Sequence, residues 1–181
     1  MNDNSNIKQF KINFLGEPGV GKTSIISQFI YQKFLDSQNL TVGYYHKKTI
    51  TIDDKPLFNF DIWDIPRQEK YRALARIFYK NANAVILVYD ITQKKTFDEL
   101  KNYWIHDIQK YGDILAIVVI VANKYELTVK NVYEGEVLEF VENINAMFCH
   151  TSAKEGMGIN ELFNKIVKKL IKQEEKLKKK K

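Results

Sequence analysis

The run Gly16-Glu17-Pro18-Gly19-Val20-Gly21-Lys22-Thr23 satisfies G-x-x-x-x-G-K-[ST] at every fixed position, and it follows an alternating apolar run, Phe10 to Leu15, that reads as a strand. Residues of these types at this spacing can hold phosphate groups. Glycines let backbone N–H groups turn inward around phosphate oxygens, and Lys22 brings a cation to the outer phosphates. The Thr23 hydroxyl, with Ser24 beside it, is placed for Mg²⁺. A helix opening near Lys22 would add the positive end of its dipole.

Such a loop works only if strands and helices carry it, and the chain supplies them in alternation. After the first helix, expected over Lys22 to Lys33, the polar stretch Asp36 to Thr41 reads as a loop. The alternating runs His46 to Ile52 and Leu57 to Ile62, joined by Asp53-Asp54-Lys55-Pro56, predict a hairpin. A helical pattern spans about Glu69 to Lys80. Then come a buried run at Ala84 to Tyr89, a helix from Phe97 to Tyr111, and a second buried run at Ile117 to Ala122. A helix near Tyr133 to Asn145, a short strand at Met147 to His150 and a helix from Ile159 close the pattern. Continuous apolar strands alternating with amphipathic helices predict an α/β three-layer sandwich with a six-stranded, mostly parallel sheet, one antiparallel edge strand and about five helices. Ligands in such sheets sit at the carboxyl ends of the strands. Asp64, Asn123-Lys124 and Thr151-Ser152-Ala153-Lys154 each fall just after a predicted strand, where they converge on the phosphate loop.

The 181 residues fit one domain, and 45% apolar with 28% charged residues are globular values. No apolar run is long enough to span a membrane, and Met1 to Asn6 carries no secretion or myristoylation signal. The lone Cys149 suits a reducing cytosol. The formal net charge of +6 is concentrated: residues 165–181 hold nine lysines and two glutamates, so the remainder is almost neutral. That distribution argues against a nucleic-acid partner and leaves a solvated helix end or contact with an anionic membrane. The expected division is a flexible 1–7, a nucleotide-binding domain at 8–172 and a basic tail at 173–181.

The residues Trp63-Asp64, Tyr71-Arg72-Ala73-Leu74, Phe78-Tyr79, Leu87 to Thr92, Thr96 to Leu100 and Trp104, together with the phosphate loop and Asn123-Lys124, resemble the Ras superfamily of small GTPases, and within it the Rab branch. The resemblance covers residues 8 to 172. It implies a P-loop NTPase fold that binds GDP or GTP with Mg²⁺, hydrolyses GTP, and switches effectors, exchange factors and GTPase-activating proteins in vesicle traffic. A cytoplasmic monomer, peripheral on endomembranes, is the implied form. By position, Thr23, Thr41 and Asp64 would serve Mg²⁺, and Gln68 would orient the attacking water, with Lys22 at the phosphates. Phe34 would stack on guanine, Asn123, Lys124 and Glu126 would shape the base pocket, and Ser152, Ala153 and Lys154 would close it, the Ala153 N–H reaching the guanine oxygen. Rab chains usually end in prenylated cysteines, whereas this sequence ends in Lys178 to Lys181, which leaves open either a longer native terminus or reliance on the lysine tail.

Three departures stand out. Where the family has Asp-Thr-Ala-Gly-Gln-Glu, this chain has Asp64-Ile65-Pro66-Arg67-Gln68-Glu69. The missing glycine is the one whose N–H meets the γ-phosphate, so slow hydrolysis is expected, although the Arg67 guanidinium can also turn to the phosphate. Pro18 and Pro66 each fix φ and remove a donor, in loops that the resemblance places beside the γ-phosphate. Glu126 stands where the family has aspartate, which predicts a weaker guanine preference. A non-hydrolysing interaction module that keeps the fold is the alternative reading.

Overall fold

The structure is a computed structural model that describes residues 8–34, 45–52, 55–65 and 77–179. Six strands form one sheet in the order β2-β3-β1-β4-β5-β6. They are β1 (Lys8–Leu15), β2 (Tyr45–Ile52), β3 (Lys55–Asp64), β4 (Ala84–Asp90), β5 (Ile117–Asn123) and β6 (Met147–His150). The edge strand β2 runs antiparallel to β3, and every other pairing is parallel. The helices that lie wholly within the described residues are α1 (Lys22–Tyr31), α2 (Lys94–Glu99), α3 (Ile105–Tyr111), α4 (Glu134–Asn143) and α5 (Ile159–Lys178), with a π-helical turn, Leu100–Trp104, joining α2 to α3. Among the described residues no helix is long and apolar enough to cross a membrane.

Every residue of β4 is buried, as a strand covered on both faces requires. On one face Phe10, Ile12, Phe14 and Phe60 meet α1 and α5, where the Phe29 and Phe163 rings stack with centroids 3.5 Å apart. On the other, Leu15, Val85 and Leu87 meet Phe97, Leu100, Trp104 and Val137. The buried positions of α5, Ile159, Leu162, Phe163, Ile166, Val167 and Leu170, recur at the helical period and leave its lysines in solvent.

Several element ends differ from the sequence expectation. Helix α1 stops at Tyr31 rather than Lys33 because Gln32 turns left-handed (φ 54°) and donates its N–H to Gln28 O. The helix expected from Phe97 opens three residues earlier, at Lys94, where the Thr96 hydroxyl and N–H both bond Gln93 O. Strand β3 extends to Asp64, so that carboxylate ends the strand instead of following it. Of the helix expected over Glu69 to Lys80, residues 66–76 lie outside the described residues, and 77–79 are helical.

Candidate functional site

The strand order reverses at β1, the strand flanked by β3 on one side and β4 on the other. Crossovers therefore leave in opposite directions from this point, and a crevice opens there. Three glycines shape the loop that fills it: Gly16 (φ 134°), Gly19 (φ 77°) and Gly21 (φ 96°). At Gly16 a Cβ would lie 2.3 Å from Val88 O, and at Gly21 it would lie 2.3 Å from Asn123 Nδ2, whereas Gly19 faces open space. Gly21 caps α1 without any side-chain hydrogen bond, and the first turn of the helix carries no acidic residue. The N–H groups that begin α1 thus face the loop interior as an anion site.

Lys22 lies beneath this loop, 8% exposed, with Nζ donating to Gly16 O and Glu17 O at 2.9 Å each. Burial pulls its pKa down from the ordinary lysine value to about 8, while the Asp64 carboxylate pulls the other way. Beside it the Thr23 hydroxyl donates to Asp64 Oδ2. One hydroxyl and one carboxylate are a hard-oxygen pair of the kind Mg²⁺ takes when phosphates and water complete its shell. The donor chemistry fits the ion.

Asn123, at the end of β5, ties the loop to the segment after β6. Its Nδ2 donates to Val20 O at 2.8 Å, and its Oδ1 accepts from Thr151 Oγ1 at 3.0 Å and from Ala153 N at 3.2 Å. The Ala153 N–H, which the resemblance assigns to a ligand oxygen, is here donated to Asn123. Lys124 adopts φ 65° and pairs with Asp90 Oδ2 at 2.6 Å. Burial works against the Asp90 charge, but bonds from Lys124 and Thr92 outweigh it and hold the carboxyl below its usual range. Glu126 Oε2 is buried without a hydrogen-bond partner. A carboxylate oxygen left open beside Asn123-Lys124 suits a ligand with paired N–H donors, as guanine has. Ser152 and Ala153 are buried, whereas Lys154 and Phe34 are exposed.

Hydrogen bonds therefore tie the Gly16 to Ser24 loop to Asp64 at the end of β3 and to Asn123 at the end of β5, and through Asn123 to Ala153 after β6, with Lys124, Glu126, Ser152 and Lys154 on the adjoining segments. Thr41, Arg67 and Gln68 lie outside the described residues. Sequence reading missed Asp90 as the partner of Lys124 and Thr151 as a partner of Asn123. The Asp90↔Asn123 register of β4 and β5 is the signal that could have found the first, since it sets two polar residues side by side at the strand ends.

A glycine-turned loop at an uncapped helix N-terminus, a buried lysine and a polar rim at the strand ends define a P-loop nucleotide-binding domain. The sequence model of the Ras family matches residues 11–172. Ras-related protein Rab-22A of Mus musculus is 39% identical over 166 residues, covering 91% of this chain and 84% of its own. Ras-related protein Rab-5A of Dictyostelium discoideum is 37% identical over 172 residues, 94% of this chain and 85% of its own. Rab-22A of Homo sapiens is 38% identical over 166 residues, with 91% and 84% covered. The chain belongs to the Ras family, as a small GTPase of its Rab branch.

Proposed function

We propose that this protein binds GDP and GTP with Mg²⁺, changes partners according to which is bound, and acts in membrane traffic with slow GTP hydrolysis. The observation that carries the nucleotide reading is the buried Lys22 ammonium on Gly16 O and Glu17 O beneath the open N-terminus of α1. Lys22 and the α1 N–H groups would take the β- and γ-phosphates, and Thr23 and Asp64 would hold the ion that neutralises them, joined by Thr41. Asn123, Lys124, Glu126 and Ser152 to Lys154 would receive the base, with Phe34 against its face. Glu126 Oε2, orphaned in the structure, supports guanine as that base. Denaturing the purified protein and identifying what it releases tests this directly. GDP or GTP is the expected release; ATP, or no nucleotide, overturns the reading.

Slow hydrolysis rests on Arg67 in the place of the γ-phosphate-sensing glycine, with Pro66 before it in the sequence and Pro18 in the phosphate loop. Loss of one hydrogen bond to a charged group is worth about 1.5–3 kcal/mol, or about one to two decades. Arg67→Gly is therefore expected to raise the preference for a non-hydrolysable GTP analogue over GDP by about 10- to 100-fold. Dissociation constants for the two nucleotides measure it, and an unchanged ratio overturns it. The same three residues favour a second reading, a non-hydrolysing interaction module, which single-turnover GTP cleavage separates from the first. Effectors, exchange factors and activating proteins would meet the switch segments of a monomer, and the exposed lysines of α5 would add a weak, salt-sensitive attraction to anionic endomembranes.

A further inference from the structure

Glu17 puts a carboxylate inside a loop whose ligand is made of phosphates. Left free to turn into the cradle, that anion would oppose the ligand's own charge. Instead its side chain is buried, 8% exposed, and its Oε1 accepts a hydrogen bond at 3.2 Å from the indole Nε1 of Trp104, itself 2% exposed. The two residues are 87 positions apart. Trp104 is the last residue of the π-helical turn between α2 and α3, and it belongs to the core cluster on that face of the sheet. π-turns re-aim the side chains around them and recur where a helix serves a site. At the other end of the same residue, the Glu17 carbonyl receives Lys22 Nζ. One residue is thus held through its side chain by Trp104 while its backbone holds the phosphate-binding lysine.

We propose that Trp104 is a positioning residue for nucleotide binding: its indole N–H pins the Glu17 carboxylate away from the phosphate cradle, and so keeps the loop shaped for phosphate and slows nucleotide release. The inference rests on the nucleotide reading above. It assigns to a buried aromatic residue, which helical spacing alone places in the core, a direct effect on ligand residence.

The test uses the full chain loaded with N-methylanthraniloyl-GDP and follows its release into excess GDP. Trp104→Phe, which removes the N–H and keeps an aromatic ring, is expected to speed release about tenfold, the value of one hydrogen bond to a charged group. Adding Glu17→Gln to that variant removes the charge that needed pinning, and release is expected to return to within about threefold of the parent. A packing defect at position 104 would not be reversed by a change at Glu17. If Trp104→Phe fails to fold, 3-benzothienylalanine at position 104 keeps the bicyclic shape without the donor. Release unchanged by loss of the N–H, or faster release that Glu17→Gln does not reverse, overturns the proposal while leaving the nucleotide site intact. A parent chain that binds no labelled GDP overturns both.

Discussion

Lys22→Met is expected to weaken GDP binding by about 10²- to 10⁴-fold and, at the same time, to raise the melting temperature of the ligand-free protein. The first effect is the loss of charge-assisted hydrogen bonds to phosphate, each worth about 1.5–3 kcal/mol, with two made by one ammonium. The second follows from burial. Lys22 is held charged in the interior against the pull that lowers its pKa to about 8. Methionine fills similar volume without that cost, although Gly16 O and Glu17 O lose their donor. A net gain of about 1–2 kcal/mol, or about 2–6 °C, is expected. Calorimetry of the parent and variant, with and without GDP, reads both signs; a variant that melts lower when ligand-free and still shifts with GDP would contradict the account.

The same lysine predicts the pH dependence. Phosphate raises its pKa above the ligand-free value of about 8, so binding takes up a proton above that pH. GDP affinity should be flat below about pH 7.5 and fall by up to about tenfold per unit above pH 8, a slope that Lys22→Met removes. For folding, the lysine value is lowered in the native state. The unfolded chain therefore holds more protons between about pH 8 and 10.5, and stability from this group rises with pH across that window.

Asn123→Ala is expected to cost about 3–5 kcal/mol of stability, because it leaves three interior groups without their partner: Val20 O, Thr151 Oγ1 and Ala153 N. Asn123 is 1% exposed, so water does not replace those bonds readily. Nucleotide release should accelerate as well, since the phosphate loop and the segment after β6 lose their shared tie. Urea denaturation measures the first effect and release of labelled GDP the second. Asn123→Asp, which keeps the acceptor and loses the donor to Val20 O, should fall between parent and alanine. A loss below about 1 kcal/mol for the alanine variant would show that the three bonds are made elsewhere.

The strands at Ala84 to Asp90 and Ile117 to Asn123 were legible because a strand covered on both faces must be apolar throughout, and these runs are. Element ends were less legible. The close of α1 at Gln32 depends on one residue turning left-handed, and the opening of α2 at Lys94 depends on a threonine bonding back to Gln93. Residue types there permit these conformations without requiring them. The π-turn at Leu100–Trp104 leaves no mark in the hydrophobic period at all.

By itself the order of residues determined the phosphate cradle, the alternation of strand and helix, and the family to which the chain belongs. Those features rest on neighbours a few positions apart: glycines at turns that need positive φ, apolar residues at a regular period, a lysine and a threonine at the head of a helix. Tertiary structure alone decided that Lys22 is buried, that Lys124 answers to Asp90, that Asn123 joins two loops, and that Trp104 reaches Glu17. Asn123 and Val20 are 103 positions apart, and Trp104 and Glu17 are 87 apart. Such pairs form only when the sheet order brings β1, β4 and β5 side by side, because hydrogen bonds and desolvation act over a few ångströms of space, whatever the separation along the chain.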